Sequence, residues 1–240
     1  MATSDLTLTV DRTHDLNGNF LKFDHGQITI EGSGSTSATT SILIQNSLST
    51  QLLKIDNNGG FALGKNASTF NNQSVTIGNG TSTTADLSVA IGNGASSTSQ
   101  GAIAIGHLAL ANGSANSPSI AIGQESDAAG FRGVALGWLA NASGGNSVAI
   151  GQQSSSTGDG VAIRGTASGG GMIAIKGTAS SYNAIAIGGT ASKETAIALG
   201  STSQANNFGS IAIGYGAISD AGYIIRSGTS GTRTNSTPNS

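Results

Sequence analysis

Ser147-Val148-Ala149-Ile150-Gly151-Gln152-Gln153-Ser154-Ser155-Ser156-Thr157-Gly158 is the stretch whose reading decides the fold. Its core, Val148-Ala149-Ile150-Gly151, returns as Phe61-Ala62-Leu63-Gly64, Val75-Thr76-Ile77-Gly78, Val89-Ala90-Ile91-Gly92 and Ile103-Ala104-Ile105-Gly106. It continues at Ile120-Ala121-Ile122-Gly123 and Val134-Ala135-Leu136-Gly137, with further copies starting at Val161, Ile173, Ile185, Ile197 and Ile211. Those are 12 copies, and their starting positions differ by 14, 14, 14, 17, 14, 14, 13, 12, 12, 12 and 14 residues. So short and sustained a period means stacked units, each too small to bury a face alone.

Each copy is too short for a helix and alternates large with small, the period of a strand. In Val148-Ala149-Ile150 the two β-branched residues point to one face and Ala149 to the other. The Gly that follows supplies a corner, through positive φ or tight packing. Small residues recur three and five positions after it: Ala109 and Ala111, Ser126 and Ala128, Ala140 and Ala142, Ser154 and Ser156, Ser203 and Ala205. One coil is then two short strands and two corners, with Ile/Val on one wall and Ala/Ser on the other. We expect the core to be the large residues Ile77, Ile91, Ile105, Ile122, Leu136, Ile150, Ile163, Ile175, Ile187, Leu199 and Ile213. On that assignment a carboxylate at Ile150 breaks the coil.

Stacked in parallel, these coils form an all-β solenoid of about 12 coils of 12–14 residues. At about 4.8 Å per coil it would run roughly 55–60 Å. Each coil contacts only its neighbours. The apolar wall not used inside a coil needs a cover, and association of copies supplies one. The coil at Ile103 is 3 residues longer than its 14-residue neighbours, and the extra residues should bulge around Pro118, off the ladder.

Composition agrees with order and narrows function. The 240 residues include 37 Gly, with 9 % charged and 4 % aromatic. Globular domains usually carry about 25 % charged residues and about 7 % Gly. Such a bias can mark disorder, but the apolar residues here recur in phase. The net charge of −2 comes with no basic cluster, which argues against nucleic acid. Cysteine is absent, which removes disulfides and thiolate metal sites. No run approaches 18 apolar residues, so no membrane insertion as a helix is expected. The first residues lack the basic and apolar regions of an export signal.

The pattern S-V-A-I-G-x-x-A-x-A-x-G, legible from Ser119 to Gly130 and from Ser147 to Gly158, is similar to the head repeat of YadA-type trimeric autotransporter adhesins. The resemblance spans roughly Phe61 to Ala217. It implies a left-handed parallel β-roll assembled as a parallel homotrimer. The same repeat also looks like segments of bacteriophage fibres. The export signal, coiled-coil stalk and membrane barrel of the adhesins have no counterpart motif here. We therefore expect a virion structural protein, a trimeric phage tail or head fibre with a receptor-binding role open to it, located in the virion. The alternative is the head of a bacterial adhesin that attaches to cells or matrix at the bacterial surface.

Three regions follow. Residues 1–60 form a β-rich attachment and capping domain, which would join other virion proteins; 61–226 are the β-roll; 227–240 are a polar tail. Short strands are read at Leu6–Val10, Phe20–Phe23, Gln27–Ile30, Ser41–Ile44 and Leu52–Ile55, separated by turn signals. The segment Leu52 to Gly64 resembles strand-turn units of phage fibres. Covering the first edge of the solenoid protects it from pairing with other chains.

No catalytic, cofactor or metal site is expected. Asp11, His14, Asp15, Asp24 and His25 sit among turn residues without a third ligand at a metal spacing. Asp56-Asn57-Asn58-Gly59-Gly60 lacks the Glu of a calcium loop and reads as a hairpin turn. Gly169-Gly170-Gly171 lacks phosphate-loop spacing and reads as a corner. Serines occupy no nucleophile elbow, and coils this narrow leave no groove for a polysaccharide-cleaving site. The possible surface contacts are Phe131, Tyr182 and Phe208, each 3 residues before a motif start, and Arg164 and Lys176, stacked 12 apart. The aromatics suit a carbohydrate or protein contact, or packing between copies. The basic pair suits an anionic glycan or a solvated column.

Overall fold

The computed structural model describes residues 40–46, 48, 50–69, 72–114, 116–220 and 225–227. The strands expected at Leu6–Val10, Phe20–Phe23 and Gln27–Ile30, the Asp/His groups among them and the tail beyond Ser227 lie outside the described residues. Within them every regular element is a strand, and these join into a 15-stranded and a 12-stranded sheet.

Each coil gives a three-residue strand such as Val148–Ile150 to the first sheet and a two-residue strand such as Ser155–Ser156 to the second. Successive coils pair in parallel and in strict register. Val134, Val148 and Val161 form one ladder, Ala135, Ala149 and Ala162 the next, and Leu136, Ile150 and Ile163 a third. A parallel pairing of each strand with its copy one coil later is the β-solenoid expected from the repeat.

The wall assignment is the reverse of the sequence expectation. The central Ala of each motif lies inside the coil: Ala90, Ala104, Ala121, Ala135, Ala149, Ala162, Ala174, Ala186, Ala198 and Ala212 are all 0 % exposed. Facing them are the small residues three and five positions after the Gly, which are equally buried. The residues expected as the core (Ile77, Ile91, Ile105, Ile122, Leu136, Ile150, Ile163, Ile175, Ile187, Leu199 and Ile213) point outward from the first sheet, and none is buried within the chain. The reason is width. The second wall is only two residues long and two corners close the coil, so the walls stand close together: apart from Met172 the largest fully buried side chains are Thr and Ser, and Thr76 Oγ1 meets Thr83 Oγ1 across the interior at 3.0 Å. Alternation defines two faces; it does not say which one turns inward.

Most interior hydroxyls are satisfied locally, Thr69 Oγ1 being an exception. Thr81, Ser126, Ser154 and Ser203 each donate to the carbonyl of the motif Gly three residues earlier, at 2.8–2.9 Å. Met172, 1 % exposed, is the largest buried side chain and takes an inward position that is Ala184 one coil later.

In the full coils the motif Gly is required by both conformation and space, whereas the shortened coils starting at Val161 and Ile173 carry Arg164 and Lys176 there. At Gly123 φ is +135°, and an added Cβ would stand 2.4 Å from the Gly137 carbonyl oxygen of the next coil. That backbone region is close to glycine-only and costs about 1–3 kcal/mol for other residues. We expect Gly123→Ala to lower the calorimetric unfolding midpoint by several degrees. Gly80→Ala, at φ +63° with open space around its Cβ, should cost less than half as much. Equal shifts would mean that stacked coils do not press on one another at this column.

The first sheet continues past the repeats as an antiparallel ribbon. Strands β1 (Thr40–Gln45) and β2 (Gln51–Asp56) pair with each other, and β2 pairs with β3 (Phe61–Leu63), the first motif strand. These match the strands read at Ser41–Ile44 and Leu52–Ile55. The turn from β2 to β3 is organised by Asp56, whose Oδ1 accepts from the backbone N–H of Gly60 at 2.6 Å and of Asn58 at 3.2 Å. The Asp56 amide donates to the Gly60 carbonyl at 3.0 Å. A carboxylate saturating backbone donors in this way is a turn device.

Candidate functional site

Inverting the walls changes what the protein shows to its surroundings. The outer face of the first sheet carries two unbroken apolar columns, aliphatic except for Phe61. The first position of each motif contributes Phe61, Val75, Val89, Ile103, Ile120, Val134, Val148, Val161, Ile173, Ile185, Ile197 and Ile211. The third position contributes Leu63 and the eleven residues from Ile77 to Ile213 named above. All are at least partly exposed in the chain. Adjacent residues in each column are held in register by the ladder. At about 4.8 Å per coil the stripe is over 50 Å long. A contiguous apolar surface of that size marks an interface.

The outer face of the second sheet is different in kind. Its column runs Ser68, Ser82, Ser96, Leu110, Asp127, Asn141, Ser155, Thr166, Thr178, Thr190, Gln204 and Ile218, joined by parallel pairing. Apart from Leu110 and Ile218 this wall is polar, mostly small and nearly uncharged. Asp127 is the exception. Its Oδ1 and the Oδ1 of neighbouring Asn141 are shielded without a hydrogen-bond partner, and burial pushes the Asp127 carboxyl above the usual carboxylate range. The folded chain therefore holds this proton more tightly than the unfolded one. This group's contribution to stability is greatest at low pH and falls as pH rises from the ordinary carboxylate range through the raised value.

The residues singled out in the sequence fall on two different corners. Phe131, Tyr182 and Phe208 lie on the corner that leads back into the first sheet, and all three are exposed. They share a column without forming one patch, since Phe131 and Tyr182 are four coils apart, roughly 19 Å, and Tyr182 and Phe208 two coils, roughly 10 Å. Phe131 is covered by its neighbour, the Arg132 guanidinium standing 4.8 Å from the ring centroid. Tyr182 lies over Gly170 of the preceding coil, where an added Cβ would stand 2.7 Å from the ring. Gly170 thus makes room for the tyrosine, while Gly171 takes φ +69° beside Asn183.

Arg164 and Lys176 lie on the other corner, one coil apart, and both are exposed. The Lys176 amide donates to Ile163, the residue before Arg164. Two exposed aromatics on this corner carry no repeat signal: Trp138 and Tyr215, each directly after a motif Gly. Their signal is positional, an aromatic residue where the other full coils have Lys, Asn, His, Gln or Ser. Also unforeseen is that non-glycine residues here take positive φ, among them Leu108, Glu125, Leu139 and Gln153, each between 50° and 60°. Among the described residues no group of three or more His, Cys, Asp or Glu is placed to hold a metal ion.

This architecture is a solenoid of narrow parallel coils with one apolar and one largely polar outer wall. The YadA head domain repeat (2 copies) matches residues 84–109, 118–140, 128–154, 142–160 and 191–217. These segments thus match YadA head domain repeats, a structural, adhesin-type fold rather than an enzyme family. No curated protein matches the chain.

Proposed function

We propose that the chain is a non-enzymatic, homotrimeric surface-fibre subunit. The single observation carrying this reading is the aliphatic double stripe of the first sheet. Each copy leaves over 50 Å of apolar surface uncovered, and threefold assembly covers all three stripes about one axis while keeping the polar second sheets outward. The repeats themselves are of a surface-exposed adhesin type, so the trimer would present that polar wall to a surface it recognises. We place it on a virion, as a tail or head fibre. The β2–β3 unit, Leu52 to Gly64, supports this placement, because it forms the strand-turn-strand that resembles phage fibre proteins. The adhesin-head reading rests on the matched repeats, which suit a bacterial surface equally well.

Residues 1–60 are the non-repetitive part of the chain, and a docking surface must be distinctive. We expect deletion of residues 1–60 to abolish incorporation into the parent particle and removal of residues 228–240 to leave it intact, both read by immunoblot of purified particles. Immunogold labelling on bacterial envelopes in place of virions would assign the chain to an adhesin. Particles that keep the N-terminally truncated chain would move the attachment site elsewhere.

A further inference from the structure

We infer that the corner around Lys176 is a binding recess for an acidic oligosaccharide. It arises from a change in coil length. In the full coils the start of the second strand lies five positions after the end of the first, as from Ile150 to Ser155 and from Leu199 to Gln204. In the three coils starting at Val161, Ile173 and Ile185 that step is three positions: Ile163 to Thr166, Ile175 to Thr178, Ile187 to Thr190. The second-sheet ladder stays in register through the change. The surface at this corner is therefore indented over three coils, about 14 Å along the axis, with a full-size coil on either side.

The indentation holds a recess of about 390 Å³ against the following full coil, lined by Lys176, Thr178, Thr190, Ser201, Thr202 and Gln204. Every one of these side chains can hydrogen-bond, and the only charge among them is positive. Arg164 stands one coil from Lys176. Among the described residues no carboxylate pairs with either. The acidic residues of neighbouring coils, Asp159 and Glu194, lie on the opposite corner, before the first-sheet strands at Gly160 and Ile197. In a chain of net charge −2, this corner is locally and uniformly positive. Hydroxyls and an amide in a row suit sugar hydroxyls, and an unpaired ammonium suits the acid group of an acidic sugar. The recess lies on the corner between the two sheets, from Lys176, one residue beyond Ile175 of the apolar stripe, to Thr178, Thr190 and Gln204 on the second sheet, and the proposed trimer would repeat it three times.

This deepens the surface-recognition reading above, and it is tested separately from it. The purified full chain is titrated with tetragalacturonate, with its carboxyl-reduced neutral counterpart and with a heparin-derived tetrasaccharide. At least one acidic probe should bind about tenfold or more tighter than the neutral one, the ratio expected of one charge-assisted contact. Raising the salt should shrink that ratio. The variant R164Q/K176Q should abolish the preference with an unchanged melting temperature, since Gln153 already occupies the same left-handed corner position natively. Lys176-dependent binding of the carboxylated or of the sulfated probe supports the recess and says which acid group it takes. Binding of neither, equal binding of acidic and neutral probes, or a preference that survives R164Q/K176Q overturns it. Sedimentation of the same samples keeps the trimer a separate question.

Discussion

Ala149→Asp should unfold the solenoid around its coil. Ala149 is 0 % exposed and faces a wall of equally buried small residues, with its ladder neighbours Ala135 and Ala162 directly above and below. A carboxylate there has neither water nor a cation, and the walls cannot part without breaking the ladders on both sides. A buried, unpaired charge of this kind costs more than about 4 kcal/mol. Because each coil is the template for the next, the loss should spread beyond one repeat. Circular dichroism and limited proteolysis of the purified variant would show lost β signal and cleavage within 120–180. Ala149→Ser should be tolerated, because Ser at inward positions such as Ser154 already finds a backbone carbonyl. If Ala149→Asp melts like the parent, the coil interior has been placed on the wrong side of the strand.

Ile150→Asp, one residue on, should leave the coil folded and dissociate the assembly. Ile150 is half-exposed on the outer face of the first sheet, in ladder with Leu136 and Ile163. In a trimer covered along this stripe, three carboxylates would meet near the axis with no partner charges. Breaking burial in that way costs on the order of 3–5 kcal/mol per site, and every 1.4 kcal/mol is tenfold in association. Analytical ultracentrifugation at micromolar concentration should give a trimer for the parent chain and a monomer with retained β signal for the variant. A parent chain that sediments as a monomer would leave the aliphatic stripe without its proposed cover. A variant that unfolds outright would return Ile150 to the interior, as first expected from the repeat.

These two adjacent positions mark the boundary between what the amino-acid sequence determines by itself and what it leaves to the fold. The recurrence of Val/Ile-Ala-Ile/Leu-Gly settles strand, corner and period, since three residues of alternating size cannot make a helical turn and one Gly per coil fits the tight approach seen at Gly123. It also settles the turn at Asp56, whose Asn-Asn-Gly-Gly neighbours demand a hairpin. It leaves open which face of Val148-Ala149-Ile150 turns inward, because both faces of that alternation are apolar and burial depends on the distance to a second wall. That distance exists only once the coil has closed over Ser154 and Ser156, and closure leaves room for Ala149 but not for Ile150. The same limit applies to Lys176. A spacing of 12 stacks it beside Arg164, but the recess appears only where three shortened coils meet a full one, in the third dimension.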